Sequence, residues 1–128
     1  MIHNIQIINS FENAKREGNL PNCVDDIEYI NEKEIEENIE IKINEKIIEF
    51  TYYYKFNKEG KYKIEYSFKN NLTKICYMFA GCNSLISLDL LNFNTQNVTN
   101  MSWMFDDCKS LENIKTKDGK ILKALYKF

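Results

Sequence analysis

Laid on itself at an offset of 26 residues, the middle of the chain repeats, and this self-match limits the fold more than any other feature of the sequence. Thr73 falls on Thr99, Tyr77 on Trp103, Met78 on Met104, Phe79 on Phe105, Cys82 on Cys108, Ser84 on Ser110 and Leu85 on Leu111. Six of these seven pairs are identities, and Leu72 with Val98, Ile75 with Met101 and Leu88 with Ile114 keep apolar character in the same register. A period in the twenties is typical of units that each form one coil and bury their apolar interior only by stacking on a neighbour. Leu85, Leu88 and Leu90 have the spacing of a strand lining such a coil, and residues 99–105 that of a helical turn on the opposite wall. Met78, Phe79, Leu85, Leu88, Leu90, Val98, Met101, Met104, Phe105 and Leu111 are then the expected core.

The flanks read as caps on this array. Ile48, Phe50, Tyr52, Tyr54 and Phe56 alternate with polar residues and with Tyr53, and after residues 57–60, which include Gly60, alternation resumes as Tyr62, Ile64, Tyr66 and Phe68. Period two on both sides of a glycine-containing turn predicts a β-hairpin with one apolar and one charged face. Residues 40–50, EIKINEKIIEF, predict another hairpin turning at Asn44 and Glu45. Ile2, Ile5, Ile7 and Ile8 predict an opening strand. Asn9 and Glu12 have capping-box spacing before a helix over 11–17, which Gly18 and Pro21 end. Asn31 and Glu34 have the same spacing in an acidic helix within residues 25–40. At the far end Asp118 and Gly119 predict a turn, and KILKALYKF, residues 120–128, a closing element. The expected division is an N-terminal α+β cap over 1–60 that holds the acidic helix and the first hairpin strand, repeat coils over 61–116, and a C-terminal cap over 117–128.

Composition removes several functional classes. In 128 residues with 44% hydrophobic content there is material for one core, and no apolar run approaches the length of a membrane span. The net charge of −2 conceals an asymmetry: residues 1–40 carry ten acids against three bases, and residues 41–128 nine acids against fourteen. The lysines of the second part are scattered among acids and form no clustered footprint, so no nucleic-acid partner is expected. The acidic helix reads as a solvated face in preference to a dock for a basic partner. The tyrosines at 52–54 read as core residues with hydroxyls at the rim in preference to a stacking platform. Cys23, Cys76, Cys82 and Cys108 lack a zinc frame, and His3 is the single histidine, so no metal is expected. Cys82 and Cys108 share one repeat position; stacked one coil apart they could form a disulfide, but a reduced, buried thiol ladder is the favoured reading. Cys23, in a predicted loop, is the thiol expected to react. The N-x-S/T triplets at Asn71, Asn97 and Asn100 are attributed to composition. With no nucleophile–base pattern, no HExxH and no phosphate-cradling loop among four glycines, neither an enzyme nor a cofactor is expected.

Residues 78–111, MFAGCNSLISLDLLNFNTQNVTNMSWMFDDCKSL, resemble the BspA-type leucine-rich repeat of bacterial and mycoplasma lipoproteins and of protist surface and intracellular proteins. The similarity covers residues 72–116, and the preceding residues 40–73 are similar to a leader found in some protist members. The resemblance implies an α/β solenoid of leucine-rich-repeat type, with right-handed coils, short strands and short helical turns after a hairpin-containing N-terminal cap. It also implies a non-enzymatic protein–protein interaction module, either an intracellular or peripheral scaffold or a cell-surface adhesin that binds host or neighbouring-cell proteins. The lack of a secretory signal in residues 1–10 favours the cytoplasm; the resemblance keeps the surface open. The expected protein-binding face is Ser87, Asp89 and Asn113, polar positions that alternate with the core leucines or their repeat equivalent.

Overall fold

The computed structural model describes residues 1–18, 27–69, 72–93, 97–116 and 120–128, and of residues 89–93, 113–116, 120–123 and 125 the backbone only. The chain runs β1 (His3–Gln6), α1 (Phe11–Arg16), α2 (Glu32–Asn38), β2 (Ile39–Ile43), β3 (Lys46–Ile48), β4 (Tyr53–Phe56), β5 (Lys61–Phe68), β6 (Leu85–Phe93), β7 (Asn113–Thr116) and β8 (Lys120–Lys127). Strands β1 and β4 form a two-stranded sheet, and the other six lie in the order β3-β2-β5-β8-β6-β7.

Local chemistry accounts for the short elements. Ser10, one residue beyond the expected Asn9, caps α1 by accepting from the Asn13 amide at 3.1 Å, and Glu12, Lys15 and Arg16 suit the helix dipole at either end. Asn31 stands at the N-cap of α2 but makes no side-chain bond to its own helix. The Glu12 carboxylate takes the Asn31 and Glu32 amides instead, at 2.8 and 3.1 Å, so one helix caps the other. The β2–β3 hairpin turns where its sequence predicts, with Asn44 and Glu45 both at positive φ, 52° and 65°, as a type I′ turn requires.

The large sheet is not the expected solenoid. Its pairings are antiparallel except for β6 with β7, and β8 inserts between β5 and β6, antiparallel to both. Two repeat units are too few to close a stack, and the first would leave a long strand edge open. The residues read as a closing element fill that gap: Ala124 of β8 sits opposite Ile64 and Tyr126 opposite Tyr62, with Ala124 and Tyr126 buried. The hairpin predicted from the alternation around residues 57–60 does not form either. Strand β4 pairs with β1, His3 opposite Phe56, while β5 pairs with β2 and β8. The turn between them is tied to the chain end, Gly60 N–H donating to Phe128 O at 3.1 Å and Phe128 N–H to Gly60 O at 3.2 Å.

The core beneath the sheet holds Ile7, Ile8, Ile35, Ile41, Ile64, Tyr66, Met78, Phe79, Leu85 and Tyr126. Tyr66 and Tyr126 both direct hydroxyls at the Ile7 carbonyl, at 2.5 and 2.7 Å, and lie 3.0 Å from each other. Of the expected repeat core, Met78, Phe79, Leu85, Leu88 and Met104 are buried, and Val98, Phe105 and Leu111 are partly buried against the core. Met101, by contrast, is 47% exposed; the side chain of Leu90 lies outside the described residues.

Candidate interaction surface

The two repeat segments, residues 74–82 and 100–108, lie side by side in the 26-residue register, with a parallel bridge between Lys74 and Asn100. Within each, every second amide bonds locally. In the first segment Met78, Ala80 and Cys82 donate to the carbonyls of Ile75, Tyr77 and Phe79, at 3.0–3.2 Å. In the second, Met104, Asp106 and Cys108 donate to Met101, Trp103 and Phe105, at 3.1–3.3 Å. These are successive tight turns in place of the helical turn expected over 99–105. They require left-handed backbone at matching positions: φ is 62° at Tyr77 and 58° at Trp103, 78° at Gly81 and 58° at Asp107. A bulky side chain in that region costs on the order of 1–3 kcal/mol, which the stack must offset. At Gly81 the Gln6 side chain comes to 3.0 Å of where a Cβ would stand, so only glycine fits there without displacing it.

The intervening amides of the first segment bond across to the second. Ile75, Tyr77, Phe79 and Gly81 donate to the carbonyls of Asn100, Ser102, Met104 and Asp106, at 2.8–3.1 Å. Aromatic pairs stack in step, Phe79 on Phe105 at 6.2 Å and 7° and Tyr77 on Trp103 at 6.3 Å and 19°. Phe11 and Tyr29 continue the Tyr77–Trp103 row inward, at 5.7 and 5.5 Å.

The far side of the first segment is closed by two asparagines. Its outward carbonyls are those of Lys74, Cys76, Met78 and Ala80. Asn31 Nδ2 donates to Lys74 O at 3.3 Å and Cys76 O at 2.8 Å. The Asn9 amide donates to Met78 O at 2.7 Å and Asn9 Nδ2 to Ala80 O at 2.8 Å. Both side chains are buried, and their oxygens are used as well: Asn31 Oδ1 accepts from the Phe11 amide and Asn9 Oδ1 from Ser10 and Asn13. Buried donors and acceptors are thus matched along the whole row.

Among the described residues, the outer side of the second segment has no such cover. Among the described residues, none offers an acceptor to the amides of Met101, Trp103, Phe105 and Asp107, the positions equivalent to Ile75, Tyr77, Phe79 and Gly81. Here Met101 and Trp103 are exposed, 47% and 57%, with no neighbour among the described residues stacked on their outer side. Strand β7 continues the same end, since among the described residues it is the edge of the sheet and pairs, in parallel, with β6 alone. A cleft of about 460 Å³ lies at the start of the two segments, lined by Ile27, Tyr29, Lys74, Thr99, Asn100 and Ser102 among others. Asn100 Nδ2 and Lys74 Nζ fix one wall through the carbonyls of Glu28 and Ile27.

Of the residues expected to bind, Asn113 lies in the edge strand β7, and Ser87 and Asp89 lie one strand further in. Ser87 of β6 is partly buried and lies opposite Asn113 of β7 and Leu125 of β8; Asp89 lies opposite Lys115 and Lys123. The side chains of Asp89 and Asn113 lie outside the described residues, as does Cys23. Cys76, Cys82 and Cys108 are free thiols, and burial pushes all three up, Cys76 and Cys108 to about 11. Cys108 Sγ donates to Phe79 O at 2.9 Å, a cross-segment bond of its own. Among the described residues no group of three His, Cys, Asp or Glu is placed to hold a metal, and no helix is long and apolar enough to cross a membrane. Sequence reasoning missed Asn9 and Asn31 as covers of the stack, because their spacing to Glu12 and Glu34 reads equally well as local helix capping.

The model of one protein family, described as Mycoplasma protein of unknown function, DUF285, matches residues 20–124. No curated protein and no solved structure matches the chain.

Proposed function

The chain belongs to the DUF285 family, and on that premise we propose that it is a non-enzymatic protein-binding module, related through its 26-residue repeat to BspA-like proteins and acting as a scaffold. The relation to BspA-like proteins rests on the motif in residues 78–111 and concerns the repeat unit; here that unit is built into a mixed, largely antiparallel sheet. The observation that carries the reading is the inequality of the two ends of the stacked pair. One end is covered by Asn9 and Asn31. The other presents four amides without acceptors among the described residues, an exposed Met101 and Trp103, and a bare strand edge. Such an edge with an aromatic anchor is what strand-adding partners use, main-chain bonds giving affinity and side chains giving choice. The proposed face includes the polar positions Ser87 and Asp89 of β6 and Asn113 of β7.

A photo-crosslinking residue placed at Met101 or at Trp103, and for comparison at Lys58 in the turn before β5, tests this in the native cell. A discrete adduct with another protein from the first two positions and not from Lys58 is expected. The same products from all three, or none from Met101 and Trp103, would remove this end as the binding surface.

A further inference from the structure

We infer that the open end receives one more unit of the same 26-residue kind, carried by a different polypeptide; the inference rests on the reading of this end as a protein-binding surface. The first two segments supply the template. A row of amides at alternate residues, 75, 77, 79 and 81, is met by carbonyls at 100, 102, 104 and 106, and two aromatic columns advance by just over 6 Å per segment. The second segment repeats the amide row at 101, 103, 105 and 107 and ends both columns on Trp103 and Phe105. What fits is a segment whose own carbonyls stand at that spacing, with an aromatic two residues before a phenylalanine, as in Tyr77–Phe79 and Trp103–Phe105. Its strand would lie parallel to β7 as β7 lies parallel to β6.

The same polarity decides against a second copy of this chain. Two open ends facing each other would oppose amide row to amide row, leaving donors without acceptors, which is costly when buried. Head-to-tail stacking would need the carbonyls of Lys74, Cys76, Met78 and Ala80, and Asn31 and Asn9 already occupy these. The chain therefore terminates a stack on one side and accepts a neighbour on the other. The incoming unit must belong to a chain whose carbonyl row is uncovered.

The test uses the full-length protein labelled with ¹⁵N and a synthetic peptide of residues 97–112, which contains the second segment's carbonyl row. The peptide is supplied free, and also joined to Phe128 through a Gly/Ser linker of about twenty residues, whose root-mean-square reach is roughly 25 Å. Expected are shifts and slowed hydrogen exchange centred on the amides of Met101, Trp103, Phe105 and Asp107, absent with a scrambled peptide and lost in Trp103→Ala. Shifts confined to β3, equal effects of the scrambled peptide, or no change in either format would overturn the inference. Should adducts form at Met101 and Trp103 in cells while the peptide fails in both formats, the partner is a protein of another kind and the binding surface itself stands.

Discussion

The residues that hold the repeat segments together are mostly apolar, and the polar ones among them are protonated donors. Cys82, Tyr66 and Tyr126 are fully buried, and desolvation raises all three well above their ordinary values; Cys76 and Cys108 rise to about 11 for the same reason. The sign follows from which state keeps its protons. An unfolded thiol ionises near 9, so between about pH 9 and 11 the unfolded chain has lost protons that the folded chain retains, and ionisation pulls the equilibrium toward unfolding. This contribution to stability is complete below pH 9 and is lost as pH rises through 11. The urea midpoint should hold level from pH 7 to 8.5 and then decline, and the Cys76→Ala, Cys108→Ala double variant should decline less over that window. Equal slopes for the two proteins would show that these thiols are exposed in solution. Neither the burial of Tyr126 nor its approach to the Ile7 carbonyl could be foreseen from KILKALYKF, since the contact joins positions 119 residues apart.

Among elements, the paired segments are not energetically equivalent although their sequences nearly match. Phe79 is wholly buried with Tyr66 at its edge, 5.3 Å and 79°, and Phe105 against its face. Phe105 has Phe79 on one side and the open end on the other. Phe79→Ala should cost about 3–5 kcal/mol, the range of a buried aromatic truncation, and Phe105→Ala roughly 1–2 kcal/mol, because less surface leaves water at that position on folding. Urea unfolding measures both; equal losses would mean that the outer face of Phe105 is covered in solution. Much at this scale was readable. The 26-residue offset gave the pairing of Tyr77 with Trp103 and of Phe79 with Phe105, and the β2–β3 turn followed from adjacent residues. Strand partners were not readable where they lie far apart. Ile5 pairs with Tyr54 and Ile64 with Ala124, at separations of 49 and 60 residues, and alternation says which face a strand buries but not which neighbour completes it. Met101 illustrates the converse: it is 47% exposed while its repeat equivalent Ile75 is fully buried in the core, so identical periodicity yields opposite exposure.

For the molecule as a whole, the position of β8 decides how the two halves cooperate. A cap at the end of a stack could be removed with loss of its own contacts alone, since repeat arrays lose stability locally. Strand β8 instead lies between β5 and β6, bonded along both edges, and without it the sheet is two pieces: β3, β2 and β5 on one side and β6 with β7 on the other. The loss would also uncover Tyr66, whose hydroxyl lies 3.0 Å from that of Tyr126, and open the Gly60–Phe128 tie that fixes the turn before β5. A chain ending at Thr116 should therefore show no cooperative urea transition and should lose the protection of the Ile75, Tyr77 and Phe79 amides against hydrogen exchange, although every residue of both repeat segments is still present. If the shortened chain kept a cooperative transition and protected those amides, the paired segments would be an independent folding unit, and β8 would be a lid on it. The pairing makes the dependence run the other way: the segments stack because β8 holds their strand against the rest of the sheet, and the open end stays presented for the same reason.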